Sequence, residues 1–189
     1  MKNERVYAGI DPGSELSAYI MIGQDDRPLI EVGEPVCGKV TNKQLRSLLL
    51  EWAYRKRNVV IGIEMVACYG MAVGKSVFDT ARWTGRFEEA AKGLETHLVY
   101  RKSPNKEDGI DSVCMHLCNS TRAKDSNIRQ ALIDRYEPTG GGKTPQVGTK
   151  SQPGPLYGIS ADVWSALAVA ITLKDHITSV TAPRAGSRE

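Results

Sequence analysis

The chain has 189 residues, of which 41% are hydrophobic and 25% are charged, so its composition is that of a folded domain and excludes disorder for the bulk of the chain. The sequence contains no apolar run near the roughly 20 residues of a membrane span, and no secretory signal precedes the first strand, so we expect a cytoplasmic protein without a membrane partner. The net charge of +3, from 25 basic and 22 acidic residues, neither requires nor excludes a nucleic-acid partner.

The first part of the chain has strand patterns followed by a helix. Three strands separated by turn residues are predicted over 5–11, 16–23 and 29–36. Connections this short predict an antiparallel meander. Thr41 and Gln44 have the spacing of a capping box, and leucines at helical spacing follow them, which predicts a first helix. The almost continuous apolar run 59–66 is typical of a strand buried on both faces of an α/β sheet.

The second part contains the remaining elements. A fifth strand is predicted over 96–100, and helices are predicted over 73–92, 110–118, 126–136 and 161–175. The segment 137–155 is rich in Gly, Pro, Thr and Lys without periodicity, which predicts a long mobile loop. The polar residues 177–189 predict a disordered tail. The element order β-β-β-α-β-α-β-α-α-loop-α indicates one α/β domain over residues 1–176.

Three carboxylates lie where apolar residues would be expected. Asp11 ends the first strand, Glu64 lies inside the most hydrophobic strand, and Asp162 begins the otherwise apolar last helix. An unpaired buried carboxylate is very costly, so each needs a partner, and a shared divalent cation would serve all three. Asp11 could instead be a turn residue and Asp162 could complement the helix dipole, whereas Glu64 on a central strand has no solvent to face.

Carboxylate oxygens favour Mg²⁺, with Mn²⁺ as a substitute. If the first and fourth strands are neighbours, Asp11 and Glu64 project to one place, and the start of the last helix can bring Asp162 there. Two metal ions held in this way would activate a water and stabilise the leaving oxygen of a phosphodiester. The three acids therefore predict a metal-dependent phosphodiesterase site.

The segments around these acids resemble, in order and approximate spacing, the motifs of RuvC-type Holliday-junction resolvases of the ribonuclease H-like superfamily. They are Gly-Ile-Asp-Pro-Gly-Ser over 9–14, Ile-Glu-Met-Val over 63–66 and Ala-Asp-Val-Trp-Ser-Ala-Leu-Ala over 161–168. The similarity runs from Val6 to about Thr172, and the divergence of the motifs suggests a phage-type member.

The resemblance implies a three-layer α/β fold with a five-stranded mixed sheet. It also implies Mg²⁺-dependent nicking of four-way junctions in DNA recombination and repair, with Asp11, Glu64 and Asp162 as catalytic and metal-binding residues. By the same resemblance the protein is a homodimer with helix 73–92 as its interface. Compact viral members of the superfamily also act on other branched DNA.

Two positions depart from the bacterial enzymes. Their last helix has a second acidic or metal-binding position three residues after the first, and here that position is Ser165, which is a poor metal ligand. The alternative candidates for the missing ligand are Asp108, Asp111 and Asp175. Where the bacterial enzymes have an aromatic residue that wedges into the junction, this chain has Ala67, so Tyr69 or Met71 is a hypothetical wedge.

Lys and Arg near the acids would hold DNA through its phosphates. The candidate DNA-binding residues are Lys75, Arg82, Arg86, Lys102, Lys106, Lys124 and Lys143, with Tyr69 as the aromatic candidate. A solvated surface position is the alternative interpretation of each cation. The glycines of 140–144 do not have the spacing of a phosphate-binding P-loop, and no strand precedes them, so we interpret them as part of a flexible basic loop.

The leading hypothesis is therefore a metal-dependent, structure-selective DNA endonuclease. Ser165 motivates the alternative of a non-catalytic or weakly active module that binds branched nucleic acid on the same fold. A nuclease acting on an RNA strand or a transposition-related substrate is a further possibility. An actin-like ATPase or sugar kinase also has an Asp and Gly after its first strand, but it needs two such domains and this chain supplies one.

Overall fold

A five-stranded mixed sheet lies at the centre of the computed structural model, which describes residues 5–29, 36–55, 58–67, 70 and 72–181. The strands are β1 Val6–Asp11, β2 Leu16–Ile22, β3 Cys37–Thr41, β4 Val59–Met65 and β5 Glu95–Tyr100. Their order in the sheet is β3-β2-β1-β4-β5. Strands β3, β2 and β1 form the predicted antiparallel meander, whereas β1, β4 and β5 are parallel.

The helices confirm the predicted element order. They are α1 Asn42–Tyr54, α2 Lys75–Ala90, α3 Val113–Cys118, α4 Asp125–Asp134 and α5 Val163–Thr181. Helix α1 begins at the predicted capping box, in which the Thr41 hydroxyl accepts a hydrogen bond from the Gln44 backbone while the Gln44 side chain accepts one from the Thr41 backbone. Among the described residues, no helix combines the length and apolar character that crossing a membrane requires.

Successive strand residues point to opposite faces of the sheet, so each face contributes side chains to its own hydrophobic core. On one face Ile10 and Ile61 pack with Leu45 of α1 and Phe87 of α2. On the other face α5 lies against the sheet, and α3 and α4 cover its outer side. Helix α5 is therefore enclosed between the sheet and α3–α4, which explains why almost every residue from Val163 to Leu173 is buried. The predicted three-layer α/β fold is confirmed.

Two glycines allow α5 to lie unusually close to the sheet. Gly9 of β1 and Gly62 of β4 are register partners, so they form a gap across two adjacent strands. A Cβ at Gly9 would overlap the carbonyl oxygen of Ala166 and lie 2.7 Å from the backbone nitrogen of Ala170. A Cβ at Gly62 would lie 2.9 Å from the Val169 side chain. The helix backbone thus occupies the space that side chains would fill at these positions.

The third strand lies later than predicted. The prediction placed it over 29–36, but β3 is Cys37–Thr41. Leu29 donates only one backbone hydrogen bond to Met21, and residues 30–35 lie outside the described part of the chain. The pairing of Leu16 with Thr41 carries β3 directly into α1. The strand at 37–41 was therefore not predicted, because long-range pairing with β2 decides it. The predicted strand over 29–36 falls mostly on residues outside the described part of the chain and stays a prediction.

Both ends of α5 also differ from the prediction. Ala161 has a left-handed backbone (φ 45°), which is incompatible with a helix, so α5 begins at Val163 rather than at residue 161. The helix continues to Thr181, so residues 177–181 of the predicted tail are helical. Ile177 anchors this extension in the core. Residues 182–189 of the predicted tail lie outside the described residues.

The segment 137–155 contains no helix or strand, as predicted, but it has internal hydrogen bonds. The amides of Gly140 and Gly141 donate to the carbonyls of Pro145 and Gln152 at 2.8 and 2.9 Å. Gly148 and Pro153 form an isolated bridge. The segment is therefore a folded loop with its own backbone pairing, and its mobility stays a prediction.

Replacing Gly9 with alanine should destabilise the protein by about 3 kcal/mol, because the added methyl group forces α5 away from β1. Gly38→Ala is the matched control on another strand, since a Cβ there meets no atom within 4 Å. Urea denaturation measures both free energies of unfolding. Equal stabilities of the two variants would contradict the close packing of α5 on the sheet.

Candidate active site

The acids Asp11 and Glu64 are neighbours on one face of the sheet. Ile10 pairs with Ile63, and continuing this parallel register by one residue pairs Asp11 with Glu64. Both lie two residues beyond Gly9 and Gly62, and because side chains alternate along a strand, both face α5. The prediction that β1 and β4 are adjacent and bring these two carboxylates together is therefore confirmed by the strand order.

A lysine belongs to the same row of residues across the sheet. Asp11 pairs with Ala18 of β2, and Ala18 pairs with Lys39 of β3. Because Ala18 is small and fully buried, it leaves the space between Lys39 and Asp11 free of a large side chain. The ammonium group of Lys39 lies 2.5 Å from the Asp162 carboxylate, and this hydrogen bond raises the pKa of Lys39.

Asp162 reaches this row because it immediately precedes α5. Its carbonyl oxygen accepts the first backbone hydrogen bonds of the helix, from Ser165 and Ala166 at 3.0 and 3.1 Å. Its side chain is about half exposed. The seating of α5 on Gly9 places the N-terminal end of the helix over the end of β1, so Asp162 lies close enough to Asp11 to act on it electrostatically.

Burial and the two neighbouring acids disfavour the ionised form of Asp11. Burial raises the pKa of Asp11 to about 7, and the negative charges of Glu64 and Asp162 contribute to the rise, while Arg101 and Lys39 oppose it. Burial likewise raises the pKa of Glu64, although Arg101 works against this shift. Asp11 thus lies close enough to Glu64 and Asp162 to interact with them, and the positive charges of Arg101 and Lys39 do not fully offset the rise in its pKa.

Arg101 is the main cation beside Glu64. It follows β5, whose residue Val99 pairs with Glu64, and its guanidinium lies 3.5 Å from one carboxylate oxygen of that residue. The same guanidinium also pairs with Asp125 of α4. The second oxygen of Glu64, Oε2, is buried without a hydrogen-bond partner. A buried carboxylate oxygen in this state can accept a further donor or a cation.

A buried polar network holds the turn that follows Asp11. The Gly13 amide donates to the Ser17 hydroxyl at 3.2 Å, the Ser17 hydroxyl donates to the Asn42 side-chain oxygen at 2.7 Å, and the Asn42 amide donates to the Gly13 carbonyl at 2.9 Å. This closed ring ties the turn to β2 and α1. Asp11 therefore lies between the paired strand β1 and a turn that these hydrogen bonds hold in place.

The donor set suits a hard divalent cation, but the side chains are not gathered around one point. Within the described residues, no group of three or more His, Cys, Asp or Glu side chains has the geometry to hold a metal ion. Instead Lys39 and Arg101 hold Asp162 and Glu64 in ion pairs. Three carboxylates and the unpartnered Glu64 oxygen nevertheless fit the oxygen ligands that Mg²⁺ takes.

The candidates for a fourth ligand differ in position. Ser165 lines the same cleft as Asp162, as its helical spacing predicted. Asp175 is held by His116 and Arg135 at 2.8 Å and lies thirteen residues along α5, about 20 Å from Asp162. Asp108 contacts His97. Asp111 accepts a hydrogen bond from the Ser112 amide. Ser165 is therefore the candidate that the structure brings to the acids.

The predicted DNA-binding cations are spread over the surface. Those that are exposed without lining the acidic cleft are Lys75, Arg82, Lys102, Lys106, Lys124 and Lys143. Arg86 lies 4.6 Å from the ring of Trp83 in a cleft between α1 and α2, on the sheet face opposite the acids. Tyr69 and Met71 lie outside the described residues. Their DNA-binding roles stay predictions.

Several residues around the acids were missed as site residues. Arg101, Lys39 and the pair Asn42–Ser17 contact the site or its turn, yet none belongs to the predicted site. The parallel pairing of β4 and β5 would have indicated Arg101, because it places the end of β5 beside Glu64. Lys39 could not be found without the register of β3, because no strand was predicted over 37–41.

The pKa of Asp11 gives a signed prediction for the metal-free protein. Its ordinary value is 3.8 and its folded value is about 7, so between these values the folded protein keeps a proton that the unfolded chain has released. Stability should therefore fall as the pH rises from 4 to 7, by as much as roughly 4 kcal/mol. Asp11→Asn removes this cost and should stabilise the protein at pH 8 but hardly at pH 4.

Urea denaturation in EDTA at both pH values measures this effect. Asp134→Asn is the control, because Asp134 is exposed on α4 and the substitution changes the charge in the same way. A stabilisation by Asp11→Asn that is the same at pH 4 and pH 8 would show that the ionisation of Asp11 costs the fold nothing.

The chain is similar to solved structures of RuvC, including two of the Thermus thermophilus protein. The chain is similar to a Thermus thermophilus RuvC structure with a TM-score of 0.57 and 16% identity, covering 93% of this chain and 97% of that one. It is also similar to T. thermophilus RuvC in complex with Holliday junction substrate, with a TM-score of 0.61, 17% identity and coverage of 94% and 97%. No protein-family model and no curated protein matches the sequence. The chain therefore has a RuvC-like, ribonuclease H-like fold, with a sequence that has diverged far from these two structures.

Proposed function

We propose that this protein is a divalent-metal-dependent endonuclease that nicks branched DNA, with four-way junctions as the first substrate class. The observation that carries the proposal is the meeting of Asp11, Glu64 and Asp162 at the ends of β1 and β4 of a RuvC-like sheet, where burial and the charges of the other two acids raise the pKa of Asp11. The similar RuvC structure that contains a Holliday junction supports branched DNA as the partner.

The three carboxylates would hold Mg²⁺, or Mn²⁺ in its place, with Ser165 as a weak additional ligand. Bound metal would supply an activated water and stabilise the leaving oxygen in two-metal phosphodiester hydrolysis. The unpartnered oxygen of Glu64 is a ready ligand. Asp11 must lose its proton to become one, and a nearby divalent charge would lower its pKa and favour that loss.

Lys39 and Arg101 would change partners when the site is loaded. In the structure Lys39 and Arg101 neutralise the negative charges of Asp162 and Glu64. A metal ion bound between the acids would supply positive charge in their place. Once the acids ligate a metal, the two side chains can turn toward phosphate oxygens of the DNA. The proposed exchange of partners explains why the acids lie near one another but, among the described residues, do not form a metal-binding arrangement.

The second candidate function is a non-catalytic or weakly active module that binds branched nucleic acid. Ser165 in place of an acid and the commitment of Asp162 and Glu64 to ion pairs favour it. Both candidates predict DNA binding, and only the nuclease predicts metal-dependent cleavage.

A four-way junction assay tests the proposed activity. With Mg²⁺ the full chain should nick a synthetic junction, EDTA should abolish nicking, and Asp11→Asn should lower the rate at least about 10³-fold while leaving junction binding intact. Asp134→Asn serves as the charge-matched control. Binding without nicking of junctions, flaps or RNA–DNA hybrids in Mg²⁺ or Mn²⁺ would favour the non-catalytic module.

Helix α2 is the proposed homodimer interface. Phe78 on this helix is 64% exposed, which is unusual for a large apolar side chain and fits burial against a second copy. Phe78→Glu should convert a dimer into a monomer in sedimentation velocity. Val180→Glu is the control, since Val180 is similarly exposed at the end of α5 and lies away from α2. A monomeric wild-type protein at micromolar concentration would contradict the proposed dimer.

A further inference from the structure

A polar cleft adjoins the acids on the side of α4. Its volume is about 410 Å³, and it lies between the end of β5, the start of α4 and the start of α5. Asp162 and Ser165 line one side, and Arg101, Asp125 and Arg129 line the other. The cleft therefore adjoins a proposed metal ligand, Asp162, and has two arginines on its opposite side.

The two arginines differ in how their charge is compensated. Arg101 pairs with both Glu64 and Asp125. Arg129 is exposed on α4, and its guanidinium carbon lies 4.8 Å from the centroid of the Trp164 ring. Within the described parts of the chain, its side chain forms no ion pair with a carboxylate. Arg129 thus contributes a positive charge to the cleft that no carboxylate of the described residues neutralises.

Trp164 fixes the place of this charge relative to the acids. It lies two residues after Asp162 on α5 and is only 7% exposed, so its ring is held by the core. A guanidinium stacked on an indole face is restrained in plane and position. The contact therefore ties Arg129 of α4 to the same helix end that carries Asp162.

The geometry also discriminates between the parts of a nucleotide. A base would need an open aromatic face for stacking, but the Trp164 ring is buried and Arg129 covers it. A phosphate needs an uncompensated guanidinium with free N–H donors, which Arg129 supplies. The ligand chemistry of the cleft is therefore that of a sugar-phosphate backbone.

We propose that Arg129, supported by Trp164, binds a backbone phosphate of the DNA strand that passes from the cleft into the acidic site. This inference rests on the proposed function and deepens it, because it identifies the side on which the strand runs and a residue that holds it. Arg129 is a DNA-binding residue in this proposal, and Trp164 is a positioning residue.

The test measures binding without catalysis. Full-length wild-type protein and variants are titrated against a fluorescein-labelled four-way junction in EDTA, over a range of salt concentrations, with fluorescence anisotropy as the readout. Arg129→Gln should weaken binding roughly tenfold and reduce the slope of log K against log salt by about 1, because one phosphate contact is lost. Arg129→Lys should keep the wild-type slope, since it retains the charge.

Arg27→Gln is the matched control. It removes the same charge from an exposed turn after β2. This turn lies at the opposite end of the strands from the acids, because Ile22 pairs with Tyr7 at the start of β1, whereas Asp11 ends that strand. Its slope should equal that of the wild type. Because Arg129 is exposed on α4, its variants should keep the wild-type circular dichroism and melting temperature.

The outcomes separate the two proposals. An Arg129→Gln variant with the wild-type slope, in a protein that binds the junction, would overturn the role of Arg129 and leave the proposed nuclease standing. An equal loss in Arg129→Gln and Arg27→Gln would overturn it as well, since it would reveal a general charge effect. A wild-type protein that binds no branched DNA would overturn the proposed function together with this inference.

Discussion

The close approach of α5 to the sheet is the constraint on which the rest of the molecule depends. It is possible because Gly9 and Gly62 face each other on adjacent strands and leave room for the helix backbone. One consequence is that the backbone of α5 packs directly against β1 and β4. The other is positional, since the same contact sets the N-terminal end of α5, and with it Asp162, over the ends of β1 and β4. The packing of α5 on Gly9 and Gly62 therefore determines both the core beneath the helix and the position of Asp162.

The placement of these acids close together at the ends of β1 and β4 is electrostatically unfavourable for the folded protein. Burial and mutual repulsion raise the pKa of Asp11 to about 7, and one oxygen of Glu64 is left without a partner. Lys39 and Arg101 offset part of this cost through their ion pairs with Asp162 and Glu64. Under the proposed function, a bound divalent cation would offset this cost, because its charge favours the ionised carboxylates.

The cations near the acids come from three different parts of the fold. Lys39 lies on β3, Arg101 follows β5, and Arg129 lies on α4. The sheet register brings the first two to the acids, and the packing of α4 on α5 brings the third. A strand of DNA following these charges would cross the acidic row from the edge of the sheet toward α4, which links the proposed substrate to the topology.

Most of the fold was predictable because its signals are local. The capping box of Thr41 and Gln44, the apolar run of β4 and the breaker after Asp11 each depend on a few neighbouring residues. The strand at 37–41 was not predicted, because it depends on long-range pairing with β2. The start of α5 was mispredicted, because the left-handed backbone of Ala161 decides it. The meeting of Asp11 and Glu64 was predictable once β1 and β4 were taken as neighbours.

The amino-acid sequence by itself determined the order of the elements, the three acids and the kind of chemistry that they can support. Only the tertiary structure decided which cations compensate those acids. Lys39 and Arg101 carry no local signal, because their roles come from strand register, and Arg129 acquires its role from the ring of Trp164 on another helix. Local patterns depend on neighbours along the chain, whereas compensation of charge depends on neighbours in space.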